Sequence, residues 1–257
     1  MFINNFDPVA FQILSLEIRW YSLAYIIGII LGWAYCKKKL IKDQHILSLF
    51  DDFITYIIIG VILGGRLGYA LFYNLKYYLE NPFEILMVWN GGMSFHGGLI
   101  GVIIASQLFS RKHKVNQFIF LDLVALAAPI GIFFGRVANF INSELIGRAT
   151  DLPWSVQFIL IDNIERHPSQ LYEAFFEGII LFLLLGHFFK KNYLKIPGKI
   201  SALFLIFYSL FRFFAEFFRS PDTQMGYLIF NLTLGQLISI FFLMAGALLF
   251  YLKNNEK

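Results

Sequence analysis

Residues 123 to 147 read LVALAAPIGIFFGRVANFINSELIG, in which thirteen residues without a charge or an amide run into an arginine, two asparagines and a glutamate within nine positions. The two halves of this stretch ask for different surroundings, and the rest of the chain says what those are. Of 257 residues, 58% are hydrophobic, 19% aromatic and only 15% charged, whereas a soluble domain carries about 25% charged residues. Such a composition belongs to a chain dissolved in lipid. The single cysteine, Cys36, rules out an intrachain disulfide and a cysteine-rich metal site.

About 20 mostly apolar residues cross the roughly 30 Å of a bilayer's hydrocarbon. Seven segments meet that requirement, at approximately Trp20–Cys36, Asp52–Tyr73, Met93–Ser110, Phe118–Ile141, Ser169–Phe189, Lys199–Phe218 and Tyr227–Leu252. The first is followed by a lysine cluster and not by a small-residue cleavage site, so it reads as a retained helix. The expected architecture is an all-α integral membrane protein, a single polytopic domain over residues 1–257 with seven transmembrane helices.

The basic residues orient it. Thirteen lie at one set of helix ends, among them Lys37, Lys38, Lys39, Lys42, Arg111, Lys112, Lys190, Lys191 and Lys253. Five, namely Arg19, Lys76, Arg148, Arg166 and Arg219, lie at the other. Lysine and arginine accumulate in cytoplasmic loops, which puts the N-terminus outside and the C-terminus in the cytoplasm. The net charge of +4 is thereby explained by topology, and nucleic acid is not an expected partner.

Two longer outer segments, 74–92 and 142–168, leave room for structure outside the membrane. In the second, LPWSVQFILID alternates in a way that suits a small strand or an interfacial lid. Glycine pairs four apart, Gly28/Gly32, Gly60/Gly64, Gly97/Gly101 and Gly131/Gly135, read as close helix contacts.

Ionisable groups inside spans are costly, and by default mark function. On this topology Arg66, His96, Arg136, Asn139, Tyr208, Arg212 and Glu216 all fall toward the outer ends of their helices, with Asn142 and Glu144 just beyond and Tyr21 at the outer start of the first span. Five or six helices thus bring polar groups to one leaflet. Arginines gathered there suit an anionic ligand, since guanidinium binds phosphate through paired hydrogen bonds.

Structural readings stand beside the functional ones. Arg66 either meets a ligand directly, or snorkels, or pairs with a structural carboxylate. Asp122 is expected to be structural. Glu173 and Glu177 share a helix face and suit the balancing of buried arginines. Arg212 and Glu216, four apart, suit an intrahelical pair. His167 reads as a loop or cap residue, while His45, His113 and His187 lie at the inner face. His96 is followed by Gly97 and Gly98, which let another group approach the backbone closely, so all three are candidates for substrate contact.

GRVANFINSELIG resembles the signature of the bacterial prolipoprotein diacylglyceryl transferase family. The likeness extends through RWYSLAY, FHGGLIG, HPSQLYE and YSLFRFFAEFFRSPD, and so over nearly the whole chain. It implies a seven-helix, N-out enzyme of the bacterial inner membrane, with its active site facing the periplasm or outer leaflet. Such an enzyme moves the diacylglyceryl group of phosphatidylglycerol onto the thiol of the lipobox cysteine of a prolipoprotein signal peptide, and releases glycerol phosphate.

By the same resemblance Arg136 and Arg212 are associated with the lipid head group, His96 and Tyr21 count as catalytic residues, and Asn139, Glu144, Gly147, Tyr208 and Glu216 carry over as substrate contacts. Asn142 joins them by its place in the motif, where Gly147 is expected to let the chain turn into the outer loop. His96 is a candidate base, with positioning of the lipid or bracing of its helix as alternatives. No cofactor or metal is expected. A transporter is the rival class, but transporters hold their sites at the midplane between repeats, and no repeat is visible.

Overall fold

The computed structural model describes residues 1–14, 16–72, 74–87, 91–221 and 226–255, without the side chains of Leu16, Phe95 and His96. In chain order the elements are strands β1 (Phe2–Asn4), β2 (Val9–Ile13) and β3 (Leu16–Arg19), then helices α1 (Trp20–Tyr35), α2 (Gln44–Phe72), α3 (Leu75–Glu80), α4 (Phe95–His113) and α5 (Gln117–Ile141). Strands β4 (Val156–Phe158) and β5 (Glu165–Arg166) follow. A helical rod comes next, made of α6 (Ser169–Glu173), a π-helical stretch Ala174–Ile180 and α7 (Leu181–Lys190). Helices α8 (Lys199–Ala215) and α9 (Leu234–Asn255) complete the described chain.

Helix occupies each of the seven apolar segments, though with different ends. Helix α2 starts at Gln44, about two turns before the expected span, because nothing apolar is needed to propagate a helix once it is nucleated. The last segment is helical only from Leu234, since Tyr227 pairs with Thr233 and Ile229–Asn231 forms a 3-10 turn before it. Among the described residues, four helical stretches are long and apolar enough to cross a membrane: 44–72, 117–141, 169–190 and 234–255. Their outward faces are apolar, with Ile59, Ile62, Leu63, Phe175, Phe241, Met244 and Leu248 exposed while arginines and glutamates are buried. That inversion suits lipid as the surrounding solvent.

The chain falls into two compact units. Residues 37–121 form one. Here α2 and α4 come together through glycines: a Cβ on Gly64 would overlap the Gly97 carbonyl oxygen, and one on Gly60 would stand 2.7 Å from the Ala105 Cβ. The expected pairs Gly60/Gly64 and Gly97/Gly101 are this seam. Below it Phe50, Phe53, Phe109 and Phe120 are fully buried, with ring centroids 4.7 Å apart for Phe53 and Phe120.

Residues 1–36 and 122–257 form the other unit. The β2–β3 hairpin leads straight into α1. Gly28 on α1 lies so close to α5 that an added Cβ would stand 2.8 Å from Gly131 Cα. Asp122, fully buried on α5, accepts hydrogen bonds from the Gly198 and Ser201 amides at 2.8 and 2.7 Å, so it caps the first turn of α8 from another helix. The segment LPWSVQFILID does contain a strand, β4, which pairs in parallel with β1 and antiparallel with β5. The N-terminal strands have no counterpart in the hydropathy reading. Their role is local: Asn4, completely buried in β1, donates from Nδ2 to the Phe140 carbonyl at 2.6 Å and so satisfies the C-terminal end of α5. Phe140, Val156, Phe158 and Ile146 close a small core around that helix end.

Candidate active site

At the end of α5, three helical elements of one unit converge on a knot of charge. Arg136 projects from α5, Glu173 and Glu177 from the α6 rod, and Arg212 with Glu216 from the end of α8 and the turn after it. Four-residue spacing puts each pair of like elements on one helix face, which is why both glutamates and both Arg212 and Glu216 point the same way. Glu173, with a fully buried carboxylate, has Oε2 at 2.9 Å from Arg136 Nη1 and accepts from Arg212 Nη1 through Oε1. Glu177, equally buried, has Oε2 at 3.2 Å from Arg136 Nη2 and Oε1 at 3.9 Å from Arg212 Nη1. Glu216 Oε2 lies 2.7 Å from Arg212 Nη2.

Sequence reasoning missed part of this knot. Arg219 was counted with the outer basic residues, yet it is buried and reaches Glu173 Oε1 at 3.7 Å. Its signal was the spacing of Arg212, Glu216 and Arg219, which continues one face past the helix end. Arg148 was also counted as an outer charge. It donates to the Arg219 and Glu216 carbonyls, at 2.9 and 3.3 Å, and so fixes the turn that carries both side chains. Thr233, before α9, donates to Glu216 Oε1 at 3.0 Å, and Gly235 leaves room for that carboxylate. Three arginines face three glutamates, so the knot is electrically balanced within itself.

A second, polar knot follows on from the α5 end. Asn139 Nδ2 donates to Glu144 Oε2 at 2.8 Å, Asn142 Nδ2 to Glu144 Oε1 at 3.3 Å, and the Glu144 amide to the Asn139 carbonyl at 2.9 Å. Gln170, fully buried at the start of the α6 rod, donates to the Glu144 carbonyl at 2.6 Å. The chain reverses here through Ser143 and Leu145, both in the left-handed region with φ of 56° and 54°. Non-glycine residues adopt that conformation at a cost and hold it only where neighbours enforce it, often at functional sites.

Gly147 therefore serves differently from the expectation. It does not make the turn. It lies against His167, whose carbonyl an added Cβ would overlap, and it pairs with Arg219 across an antiparallel bridge. Its carbonyl accepts from Arg166 Nη1 at 3.1 Å and from Ser220 Oγ at 2.9 Å. The position needs glycine for space, and it ties the polar knot to the charged one. His167 sits beyond it, between Tyr172 and Phe218, and burial holds its pKa below the usual imidazole value.

Tyr208 stands one turn before Arg212 and stacks on Phe204 with centroids 5.5 Å apart, within electrostatic reach of Arg136, Glu173, Glu177 and Arg212. Tyr21 lies at the start of α1, its hydroxyl 3.1 Å from that of Tyr25, within electrostatic reach of Glu144 and Arg136. The fold thus gathers Tyr21, Arg136, Asn139, Asn142, Glu144, Gly147, Tyr208, Arg212 and Glu216 in one unit. Cys36 is in this unit too, buried and donating to the Leu123 carbonyl at 3.4 Å, a structural thiol.

Arg66, Gly97 and Gly98 belong to the other unit, and for the first two the expectation of substrate contact meets full occupancy. Arg66 is buried, and its five N–H groups are taken by backbone carbonyls: Nε by Ile85 at 2.9 Å, Nη1 by Gly91 and Gly92, and Nη2 by Glu84 and Met87 at 2.6 and 2.9 Å. A guanidinium has five donors and no more, so Arg66 organises the segment after α3 and has no N–H left for a ligand. Gly97 is packed against Gly64 and Gly68, and Gly98 faces the Val61 carbonyl. The smallness of Gly97 is used by the helix seam, whereas a Cβ on Gly98 would meet only ordinary contact, 3.7 Å from the Val61 carbonyl oxygen. The His96 side chain lies outside the described residues.

The knot can present paired guanidinium groups to an anion in surroundings largely shielded from water. A family model described as prolipoprotein diacylglyceryl transferase matches residues 8–252. Curated relatives named phosphatidylglycerol–prolipoprotein diacylglyceryl transferase are similar over their whole length. The one from Rickettsia felis is 49% identical over 257 residues, 99% of this chain and 99% of the relative. That from Rickettsia bellii is 50% identical over 249 residues, 96% and 95% of the two chains, and that from Rickettsia typhi 48% over 263 residues, all of both.

Proposed function

We propose, from the premise that this chain belongs to the prolipoprotein diacylglyceryl transferase family, that it transfers the diacylglyceryl group of phosphatidylglycerol to the lipobox cysteine thiol of prolipoproteins, the first step of lipoprotein maturation. The observation that carries the reading is the pair Arg136 and Arg212, held by one buried carboxylate, Glu173, at the end of apolar helices. A phosphodiester with two acyl tails is the ligand whose charge and apolar parts suit that pairing.

The reaction is a substitution at the glycerol carbon bonded to the phosphate. The cysteine sulfur forms the new carbon–sulfur bond, the carbon–oxygen bond breaks with its electron pair going to the phosphate oxygen, and glycerol phosphate leaves. The thiol proton passes to a base. A free cysteine has a pKa of about 8.5, so a base or a positive field is needed to raise the thiolate fraction near neutral pH. His96 serves as that base on the strength of its HGG motif. Arg136 and Arg212 stabilise the charge that develops on the departing phosphate, an interaction aimed at the transition state. Tyr208 and Glu216 keep Arg212 in place, and Asn139, Asn142, Glu144 and Gly147 shape the mouth beside it, with Tyr21 on its rim. Arg66 and Gly97 act on the fold of their own unit, and Gly98, close to His96 in the motif, contacts the substrate.

The setting that goes with this chemistry is a single polytopic domain with seven spans in the bacterial inner membrane, the N-terminus outside, the C-terminus in the cytoplasm and the site opening to the periplasmic leaflet. The lysine and arginine distribution along the chain supports that orientation. The test is mass spectrometry of a lipobox peptide incubated with the purified protein and phosphatidylglycerol. A gain of one diacylglyceryl group, absent when the peptide cysteine is replaced by serine, is the expected result. No gain with a folded protein overturns the assignment.

A further inference from the structure

The ion pairs in the charged knot are unequal. Glu173 and Glu216 sit close to their arginines, at 2.9 Å from Arg136 and 2.7 Å from Arg212, and Glu173 reaches Arg212 by a short hydrogen bond as well. Glu177 lies between the same two arginines, accepting a hydrogen bond from Arg136 Nη2 through Oε2 at 3.2 Å, while its Oε1 stands 3.9 Å from Arg212 and is sealed from solvent without a hydrogen bond. Glu173 Oε2 and Glu216 Oε2 also lack a well-directed hydrogen bond, but each has a close arginine contact, 2.9 Å to Arg136 and 2.7 Å to Arg212.

Charge and backbone point the same way. Three arginines, Arg219 buried and Arg136 and Arg212 half-buried, against three buried glutamates leave no positive surplus to receive an anion, so a phosphodiester entering this knot adds an uncompensated negative charge unless a resident carboxylate moves aside. Only Glu177 lies inside the π-helical stretch Ala174–Ile180; Glu173 is on the α-helical turn before it. π-Helical turns are rare, and occur preferentially at functional sites. A return of this stretch to α-helical pairing would rotate Glu177 relative to Glu173.

On the reading that Arg136 and Arg212 bind the lipid phosphate, we propose that Glu177 is a placeholder: without lipid its carboxylate occupies the position between the two arginines, and the substrate phosphate displaces it while Glu173 keeps the guanidiniums in register. Glu177 is then a specificity-determining residue that sets how strongly an anionic head group must bind to enter. Glu173 is a positioning residue.

The two neighbouring carboxylates should separate kinetically. With the full-length protein in detergent and a saturating lipobox peptide, Glu177→Gln is expected to lower KM for phosphatidylglycerol by about threefold to tenfold, because lipid binding no longer has to displace a carboxylate from the two arginines. Glu173→Gln is expected to lower kcat at saturating lipid. A structural counter-ion would give neither split. An unchanged or higher KM in Glu177→Gln overturns the proposal. Arg136→Gln is the reference: if it leaves KM for phosphatidylglycerol unchanged, the arginines are not the phosphate site and the underlying reading fails, whereas a raised KM there with no gain in Glu177→Gln removes the placeholder alone. If Glu177→Gln does not accumulate in the membrane, Glu177→Asp, which draws the charge back by one methylene, is measured in its place with the same two readings.

Discussion

Glu173 holds Arg136 at 2.9 Å with a carboxylate that is entirely buried, and its other oxygen is turned to Arg212, so one side chain from the α6 rod couples residues 76 positions apart in the sequence. A buried carboxylate is stable only while its cations remain, and those cations keep their geometry only while the carboxylate does.

Replacing Arg136 or Arg212 by Ala therefore has two expected effects. Transfer should fall by at least about a hundredfold, the loss seen when one group that stabilises developing charge is removed. Stability should fall by up to about 3–5 kcal/mol, because the buried carboxylates Glu173 and Glu177 each lose one of the cations that balance them. Activity measured on membrane-inserted protein, with thermal unfolding in detergent beside it, separates the two. A stable, fully active variant removes that arginine from the mechanism.

His96→Gln tests the base. Imidazole titrates near pH 6.5, so if His96 accepts the thiol proton the rate of the unaltered protein rises with pH through that range and then levels off. The variant loses that rise, and the ratio of the two rates is largest above about pH 7. A loss of equal size at every pH assigns His96 to positioning instead.

Gly147→Ala puts a methyl group where the His167 carbonyl stands, with the His167 Cβ 2.8 Å away. The expected cost is about 1–3 kcal/mol of overpacking, together with loss of transfer because the bridge from Gly147 to Arg219 must shift. Full activity and an unchanged melting temperature would show that the contact relaxes without reaching the charged knot.

Asp162 and Arg166 make an ion pair in the outer segment, and the Arg166 hydrogen bonds hold the Asp162 carboxyl below the usual carboxylate range. A lowered carboxylate pKa contributes stability above the unfolded value of about 3.9 and loses it as pH falls through the folded value. Protection of the β5 amides against hydrogen exchange should accordingly drop below about pH 4, by an amount of at most about 1 kcal/mol for a half-buried pair in contact with solvent. Asp162→Asn should flatten the pH dependence. A variant with the same acid response as the unaltered protein locates the cause elsewhere.

The helices were legible because the period of apolar residues and the length of each run are local properties, and so were the faces carrying Arg212 with Glu216 and Glu173 with Glu177, which follow from four-residue spacing. The glycine seam of α2 and α4 was legible for the same reason. The strands near the N-terminus were not, since Asn4 and Phe2 acquire their meaning from Phe140 and β4, more than a hundred residues away. Arg66 could be placed in a helix but not assigned, because its five carbonyl partners lie on the 3-10 turn Pro82–Leu86 and the chain after it, 18 to 26 residues on.

By itself, the sequence determined that this is a chain of apolar helices with a family signature and with charges concentrated at a few helix ends; hydrophobic periodicity and the cost of charge in lipid suffice for that. Only the tertiary structure decided which charges meet. It placed Arg136, Glu173, Glu177, Arg212, Glu216 and Arg219 in one neutral knot, turned Gly147 from a presumed hinge into a contact with His167, and engaged Arg66 entirely with backbone. Ion pairs and close packing depend on distance in space, which spacing along a chain specifies only within a single helix.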